Sequence, residues 1–196
     1  MTLDLTHLGD RLFRHPYTLS FVGAMCATYV LTGANSFVAV LRHEAAHILA
    51  AVLTLRRPVG LQVQANGGGL AQFRGGDSWF ISLAPYFLPV ATVPLLVLGL
   101  LGVASGDLYA ILLGVTSGFD VAVATRQFGY HQSDLQYAGP IRSTLLTISM
   151  LIAVWTFVML FGVLASVKGA CHLYMKAAEL LVVWGEFVVQ SLIGEA

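Results

Sequence analysis

The stretch His43-Glu44-Ala45-Ala46-His47 lies in the middle of an apolar run, Ser36 to Leu55. If this run is a helix, His43 and His47 lie one turn apart on one face, so both imidazoles can reach a single metal ion. Glu44 then lies beside that ion, where its carboxylate can take a proton from water. We therefore predict a metal site with His43 and His47 as ligands and Glu44 as the catalytic base. The alternative interpretation is a polar network with a purely structural role.

The surroundings of this motif favour the metal site. Arg42 and the motif place four ionisable side chains in a segment that otherwise resembles a membrane span. A charged side chain at the centre of a bilayer costs about 2.5–3.5 kcal/mol on insertion scales, so a functional reason for these groups is expected.

The composition indicates an integral membrane protein. Hydrophobic residues make up 57% of the chain and charged residues 10%, against about 25% charged residues in soluble domains. Ten basic residues balance ten acidic ones, so no basic surface for nucleic acid is expected. Cys26 and Cys171 lack CxxC spacing and are interpreted as reduced thiols. The predicted fold is an α-helical polytopic membrane protein with about six transmembrane helices and a small β-hairpin after the HExxH helix.

The apolar runs divide the chain into three parts. Residues 1–16 form an N-terminal cytoplasmic or interfacial segment, 17–167 a membrane metallopeptidase-like core, and 168–196 an amphipathic or transmembrane helix through which partner subunits could bind. The first two spans could also be one bent helix. The predicted spans are 17–31, 36–55, 79–103, 107–126, 143–167 and 177–193.

Residues 60–74 have the pattern of a β-hairpin. Apolar and polar residues alternate in Leu61–Gln64 and again in Leu70–Phe73, and the turn signal Asn66-Gly67-Gly68-Gly69 separates them. This hairpin is either a surface loop or an exposed sheet edge that pairs with an extended peptide.

The basic residues predict the orientation in the membrane. With six crossings and a cytoplasmic N-terminus, most of them lie on the cytoplasmic side, as the positive-inside rule requires. The residues assigned to that side are Arg11, Arg14, Arg56, Arg57, Arg74, Arg126 and Arg142.

A catalytic zinc ion usually has three protein ligands, and the motif supplies two. The candidates for the third are Asp120, Asp134 and His131. Asp120 is preferred because a carboxylate within a membrane segment otherwise requires another explanation. The competing interpretation of Asp120 is an ion pair with Arg42.

Several of these features together resemble the site-2 protease clan of intramembrane zinc metalloproteases, and most closely its small bacterial membrane-peptidase-like members. They are HEAAH in an apolar helix, the glycine-turn hairpin, Leu83-Ala84-Pro85-Tyr86-Phe87-Leu88-Pro89, and Gln132-Ser133-Asp134-Leu135. The resemblance covers roughly residues 36–136. It implies a zinc ion held by His43, His47 and a downstream aspartate or histidine, with Glu44 as general base and a substrate strand along the hairpin. The NPxDG-type motif of that clan is absent, and Gly118-Phe119-Asp120 is a degenerate substitute.

These observations predict an intramembrane zinc metalloprotease of the bacterial inner membrane that hydrolyses a peptide bond of a membrane-associated polypeptide. The alternative is a non-catalytic subunit or scaffold of the same fold in a larger membrane complex, which the amphipathic C-terminal helix and the degenerate third-ligand motif favour. A di-iron oxidase would need more histidines on several helices than this chain offers.

Overall fold

The computed structural model describes residues 13–64, 68–76, 78–129, 133–136, 139–164, 168–176, 178–179 and 182. The fold is helical with one two-stranded sheet, and residues 168–176 are also helical. The predictions for residues 1–12 and for most of 177–193 lie outside the described residues. The elements are α1 (Pro16–Leu31), α2 (Phe37–Leu53), β1 (Arg57–Val63), β2 (Gly69–Arg74), α3 (Trp79–Phe87), α4 (Val93–Leu100), α5 (Asp107–Gln127), α6 (Ser133–Gln136) and α7 (Pro140–Leu164).

Helices α1 and α5 pack against each other along most of their length. Gly114 and Gly118 lie one turn apart on α5, and a Cβ atom on either would come within 2.3 Å of a backbone carbonyl oxygen of α1. Glycines at this spacing allow two helix backbones to approach closely, as in membrane helix pairs.

The α1/α5 pair is parallel. Gly118 contacts Phe21 near the middle of α1, and the hydroxyl groups of Tyr29 and Thr125 form a hydrogen bond near the ends of both helices. The start of α1 and Arg126 therefore lie at opposite ends of the pair. The predicted topology placed these two ends on the same side of the membrane, and this packing contradicts it.

The apolar run 79–103, predicted as one span, forms two short helices. Helix α3 has nine residues and α4 has eight, whereas a span needs about 20. The break follows from Pro89, because the residue before a proline is disfavoured in the helical conformation. Leu88 accordingly has an extended backbone, with φ −74° and ψ 132°.

The prediction of about six transmembrane helices is wrong. Among the described residues, two helices are long and apolar enough to cross a membrane, α5 with 21 residues and α7 with 25. Helices α1 and α2 have 16 and 17 residues, and α2 also carries the ionisable groups of the motif. An apolar run in the sequence is therefore not by itself a span, because proline breaks and short helices interrupt it.

The sheet confirms the predicted hairpin, with β1 beginning three residues earlier than expected. The strands are antiparallel, with Arg57 opposite Arg74 and Val63 opposite Gly69, and the register shifts between Pro58 and Gly60. Both strands pack against α2, which places β2 beside the HExxH motif.

One buried apolar cluster fixes α2 against α3. The alanines Ala46 and Ala50 of α2 are fully buried against Leu83 and Phe87 of α3. Small side chains on α2 let α3 lie close to the motif, so the backbone of α3 comes within hydrogen-bonding reach of the His47 side chain.

Candidate metal centre

Helix α2 presents the two histidines of the motif on one face. Ser36 caps the N-terminus of this helix: its hydroxyl accepts a hydrogen bond from the backbone N–H of Ala39 and so satisfies one of the free donors of the first turn. From there regular helix geometry brings the rings of His43 and His47 to a centroid distance of 5.1 Å. Both side chains are about one-tenth exposed.

Asp134 completes a group of three ligand atoms. It lies on the short helix α6, in the connection between α5 and α7. Its Oδ2 is 3.0 Å from Nε2 of His43 and 3.6 Å from Nε2 of His47. Tetrahedral ligands at about 2.0–2.2 Å from a zinc ion lie roughly 3.4 Å apart, so these separations fit a common metal ion.

The partner of His47 determines which of its ring nitrogens faces Asp134. Nδ1 of His47 is 2.8 Å from the carbonyl oxygen of Ile81, which can only accept, so Nδ1 carries the proton. That carbonyl has no partner within its own helix because Pro85, four residues later, has no N–H. In the neutral ring that binds a metal ion, Nε2 of His47 therefore has its lone pair toward Asp134.

His43 is held in the same tautomer by Gln127. The Nε2 amide of Gln127 donates to the carbonyl oxygen of Ala34 at 3.1 Å, and its Oε1 lies 3.3 Å from Nδ1 of His43. Since Oε1 accepts, Nδ1 of His43 carries the proton and its Nε2 is the free atom. Two imidazole lone pairs and one carboxylate oxygen thus converge on one point.

Such a group needs a positive charge between its members, because three acceptors cannot satisfy one another. Two neutral imidazoles and a carboxylate are also a donor set that catalytic zinc sites use, leaving a fourth position for water or substrate. The residues present at this site therefore fit a zinc ion.

The ionisation of Asp134 suits this role. Burial alone would raise the pKa of Asp134, but its close contacts with the ring nitrogens of His43 and His47 outweigh burial and hold the pKa below its ordinary value. The carboxyl group is consequently ionised at neutral pH, as a metal ligand must be.

Asp120, the preferred third ligand in the sequence-based prediction, lies apart from this group. It is fully buried, and its Oδ1 accepts from Nε of Arg42 at 2.9 Å and from the backbone N–H of Ala91 at 3.2 Å. Its Oδ2 accepts from the backbone N–H and the hydroxyl of Thr92 at 2.9 and 2.8 Å. The preference for Asp120 as the third ligand is therefore corrected. Asp120 instead forms the ion pair with Arg42 that was the competing interpretation. His131, the remaining candidate, lies outside the described residues.

The sequence-based interpretation missed the outer partners of the histidines. The carbonyl oxygen of Ile81 had a signal in the sequence, since Pro85 inside an apolar helix must leave an acceptor free. Gln127 had none, because its place at the end of α5 opposite Ala34 depends on how α1 and α5 pack.

A cavity of about 430 Å³ lies over the three ligand atoms. Glu44 and β2 form part of its lining, and Gly69 of β2 lies directly against the Glu44 side chain. A Cβ atom at position 69 would come within 2.5 Å of Glu44, so any larger residue there would displace its carboxylate. Cavities of this size, about 300–1,000 Å³, commonly hold ligands.

Comparisons of the chain with protein-family models, with curated proteins and with solved structures found no match.

Proposed function

We propose that this chain is a zinc metallopeptidase of the bacterial inner membrane that hydrolyses a peptide bond of a membrane-associated polypeptide. The observation that carries the proposal is the convergence of Nε2 of His43, Nε2 of His47 and Oδ2 of Asp134, with a carboxylate of the same helix beside them. The resemblance of the motif, the hairpin and the proline-containing α3 to the site-2 protease clan supports the same function.

The chain's own residues divide the work of hydrolysis. His43, His47 and Asp134 would hold the zinc ion, and when bound the ion polarises the scissile carbonyl and makes a water molecule more acidic. Glu44 accepts the proton of the attacking water as its oxygen bonds to the carbonyl carbon, and then gives that proton to the amide nitrogen as the carbon–nitrogen bond breaks.

Strand β2 would align the substrate. Among the described residues β2 pairs with β1 alone, and Gly69, Leu70 and Ala71 line the cavity beside Glu44. An extended peptide laid along β2 would bring its backbone carbonyl groups to the ligand cluster. A peptide within a helix has its carbonyl groups engaged in hydrogen bonds and shielded, so the extended form is the reactive one.

The membrane location is supported by α5 and α7, both long and apolar enough to span a bilayer. Arg126 lies in the last turn of α5 and Arg142 in the first turn of α7, so both flank the connection that carries Asp134. Basic residues near the ends of spans favour the cytoplasmic side, and we therefore assign the metal-site end of these helices to the cytoplasm.

Glu44→Gln is the direct test. The zinc-loaded protein in detergent would be assayed on fluorogenic peptides derived from single membrane-spanning helices and on fluorescein-labelled casein, with zinc content measured in parallel. Loss of the base is expected to lower the rate by about 10²–10⁴-fold, with zinc content unchanged. Glu179→Gln, the same chemical change at an exposed position on a helical segment after α7, is the matched control and should keep full activity.

Two results would contradict the proposal. Hydrolysis by Glu44→Gln at the wild-type rate would remove Glu44 as the base. A wild-type protein that binds zinc and cleaves neither substrate would favour a non-catalytic membrane subunit, the alternative that the sequence also allows.

A further inference from the structure

Gln127 connects the candidate metal site to the link between α1 and α2. It is the last residue of α5, it is 8% exposed, and its amide lies between the carbonyl oxygen of Ala34 and the ring of His43. The amide of a glutamine has a donor end and an acceptor end. Its neighbours determine which end faces which way.

The backbone of Ala34 fixes the orientation of this amide. A carbonyl oxygen only accepts, so the NH₂ group of Gln127 must face Ala34, at the observed 3.1 Å. The amide oxygen is then left for Nδ1 of His43, at 3.3 Å. The proton of a neutral His43 is thereby held on Nδ1, and Nε2 keeps its lone pair toward Asp134, 3.0 Å away.

We infer that Gln127 is a positioning residue for the metal site, selecting the tautomer and ring orientation in which His43 can bind zinc. This inference rests on the zinc site proposed above. Outer partners of this kind are general in metal proteins, and losing one typically weakens metal binding by about 10–100-fold. In this chain Gln127 has for His43 the role that the free carbonyl of Ile81 has for His47.

Gln127 could act through its acceptor oxygen or only through the size of its side chain, and two substitutions distinguish these roles. Methionine has nearly the length of glutamine but no oxygen atom to accept from Nδ1 of His43. Glutamate keeps an oxygen in the same place and can accept, although it loses the donor toward Ala34. A structural role would make both substitutions harmful, whereas positioning of His43 requires that glutamate restore zinc binding.

The experiment measures the zinc dissociation constant of the full chain in detergent by competition with a chromogenic chelator. The variants are Gln127→Met and Gln127→Glu, with the melting temperature of each metal-free protein recorded as the measure of structural cost. Asn35 lines the same cavity, and Asn35→Asp adds the same negative charge as Gln127→Glu. This variant therefore controls for simple attraction of the cation.

Gln127→Met is expected to raise the dissociation constant by about 10–100-fold, while Gln127→Glu stays within about threefold of wild type. Asn35→Asp should change the zinc dissociation constant by less than Gln127→Met does. The added negative charge is then excluded as the reason that Gln127→Glu keeps its affinity for zinc. Equal weakening by Met and Glu, or wild-type affinity in both, would overturn the role of Gln127 while the zinc site stands. A wild-type chain that binds no zinc would overturn the zinc site and this inference together.

Discussion

Two aspartates near the HExxH helix have opposite surroundings. Asp120 is fully buried and accepts four hydrogen bonds, one of them from the guanidinium group of Arg42. Asp134 is about one-fifth exposed and faces the Nε2 atoms of His43 and His47, whose protons lie on the far side of each ring. The first carboxylate is surrounded by donors, whereas the second faces two imidazole nitrogens and accepts one long hydrogen bond, 3.5 Å, from the hydroxyl of Tyr86.

This difference distinguishes a structural carboxylate from a candidate ligand. The donors around Asp120 already neutralise its charge and occupy both oxygens, so a metal ion there would have to displace Arg42. Oδ2 of Asp134 converges with two other acceptors, and a cation is what the three lack. Burial of a charge within an apolar segment is shared by structural and functional groups, whereas the balance of donors and acceptors separates them.

The largest expected effect is on folding. Asp120→Ala leaves Arg42 buried without its carboxylate, and breaking such a pair costs about 3–5 kcal/mol of folding free energy. Asp134→Ala should cost far less in the metal-free protein, because its side chain lies at a cavity rather than in a saturated pair. Denaturant unfolding of both variants in detergent with a chelator present measures the difference. Equal losses in the two would remove the distinction between the two aspartates.

The next largest expected effect is on zinc binding, where a change at Asp134 should cost more than a change at Asp120. Asp134→Asn replaces the charged ligand by a neutral amide of the same size and should weaken zinc binding by more than the roughly 100-fold upper range for an outer partner. Asp120→Asn, in whatever fraction folds, should still bind one zinc ion per chain. Elemental analysis and chelator competition on the two purified variants would show it. Zinc lost with Asp120→Asn and kept with Asp134→Asn would restore Asp120 as the third ligand.

The smallest expected effect is the loss of folding free energy when one hydrogen bond to Asp120 is removed. Thr92→Val removes the hydroxyl that donates to Oδ2 at 2.8 Å, and one hydrogen bond to a charged group contributes roughly 1.5 kcal/mol to folding. Zinc affinity should be unchanged, since Thr92 serves only the structural carboxylate.

Thr116→Val is the matched control for this change. The hydroxyl of Thr116 donates only to carbonyl groups of its own helix among the described contacts, so its loss should lower the melting temperature less. A loss in Thr116→Val as large as that in Thr92→Val would indicate that removal of any threonine hydroxyl, rather than loss of the contact with Asp120, determines the cost.

Much of the candidate site could be predicted because its signals are local. The spacing of His43 and His47 follows from one helical turn, Glu44 follows from its place between them, and the hairpin follows from two alternating stretches around a glycine turn. Asp134 was among the candidates, but its helix of four residues gave no reason to prefer it over Asp120.

The number of membrane spans was overestimated because hydropathy does not show where a helix ends. Hydropathy adds up apolar residues along the chain and does not register where a helix stops. Pro89 divides one apolar run into α3 and α4, and the polar groups of α2 are covered by the rest of the protein rather than by a uniform apolar environment.

The sequence by itself determined the helical character of the chain, the hairpin, and the pairing of two histidines with a glutamate on one helix, since each depends on residues a few positions apart. The tertiary structure alone decided which aspartate meets which partner. Arg42 and Asp120 are 78 residues apart and His43 and Asp134 are 91 residues apart, so only the packing of α3 against α2, α5 and α6 brings them together. Pro85 in α3 and Pro89 just after it contributed to that choice by leaving the carbonyl groups of Ile81 and Pro85 free for His47 and Arg42.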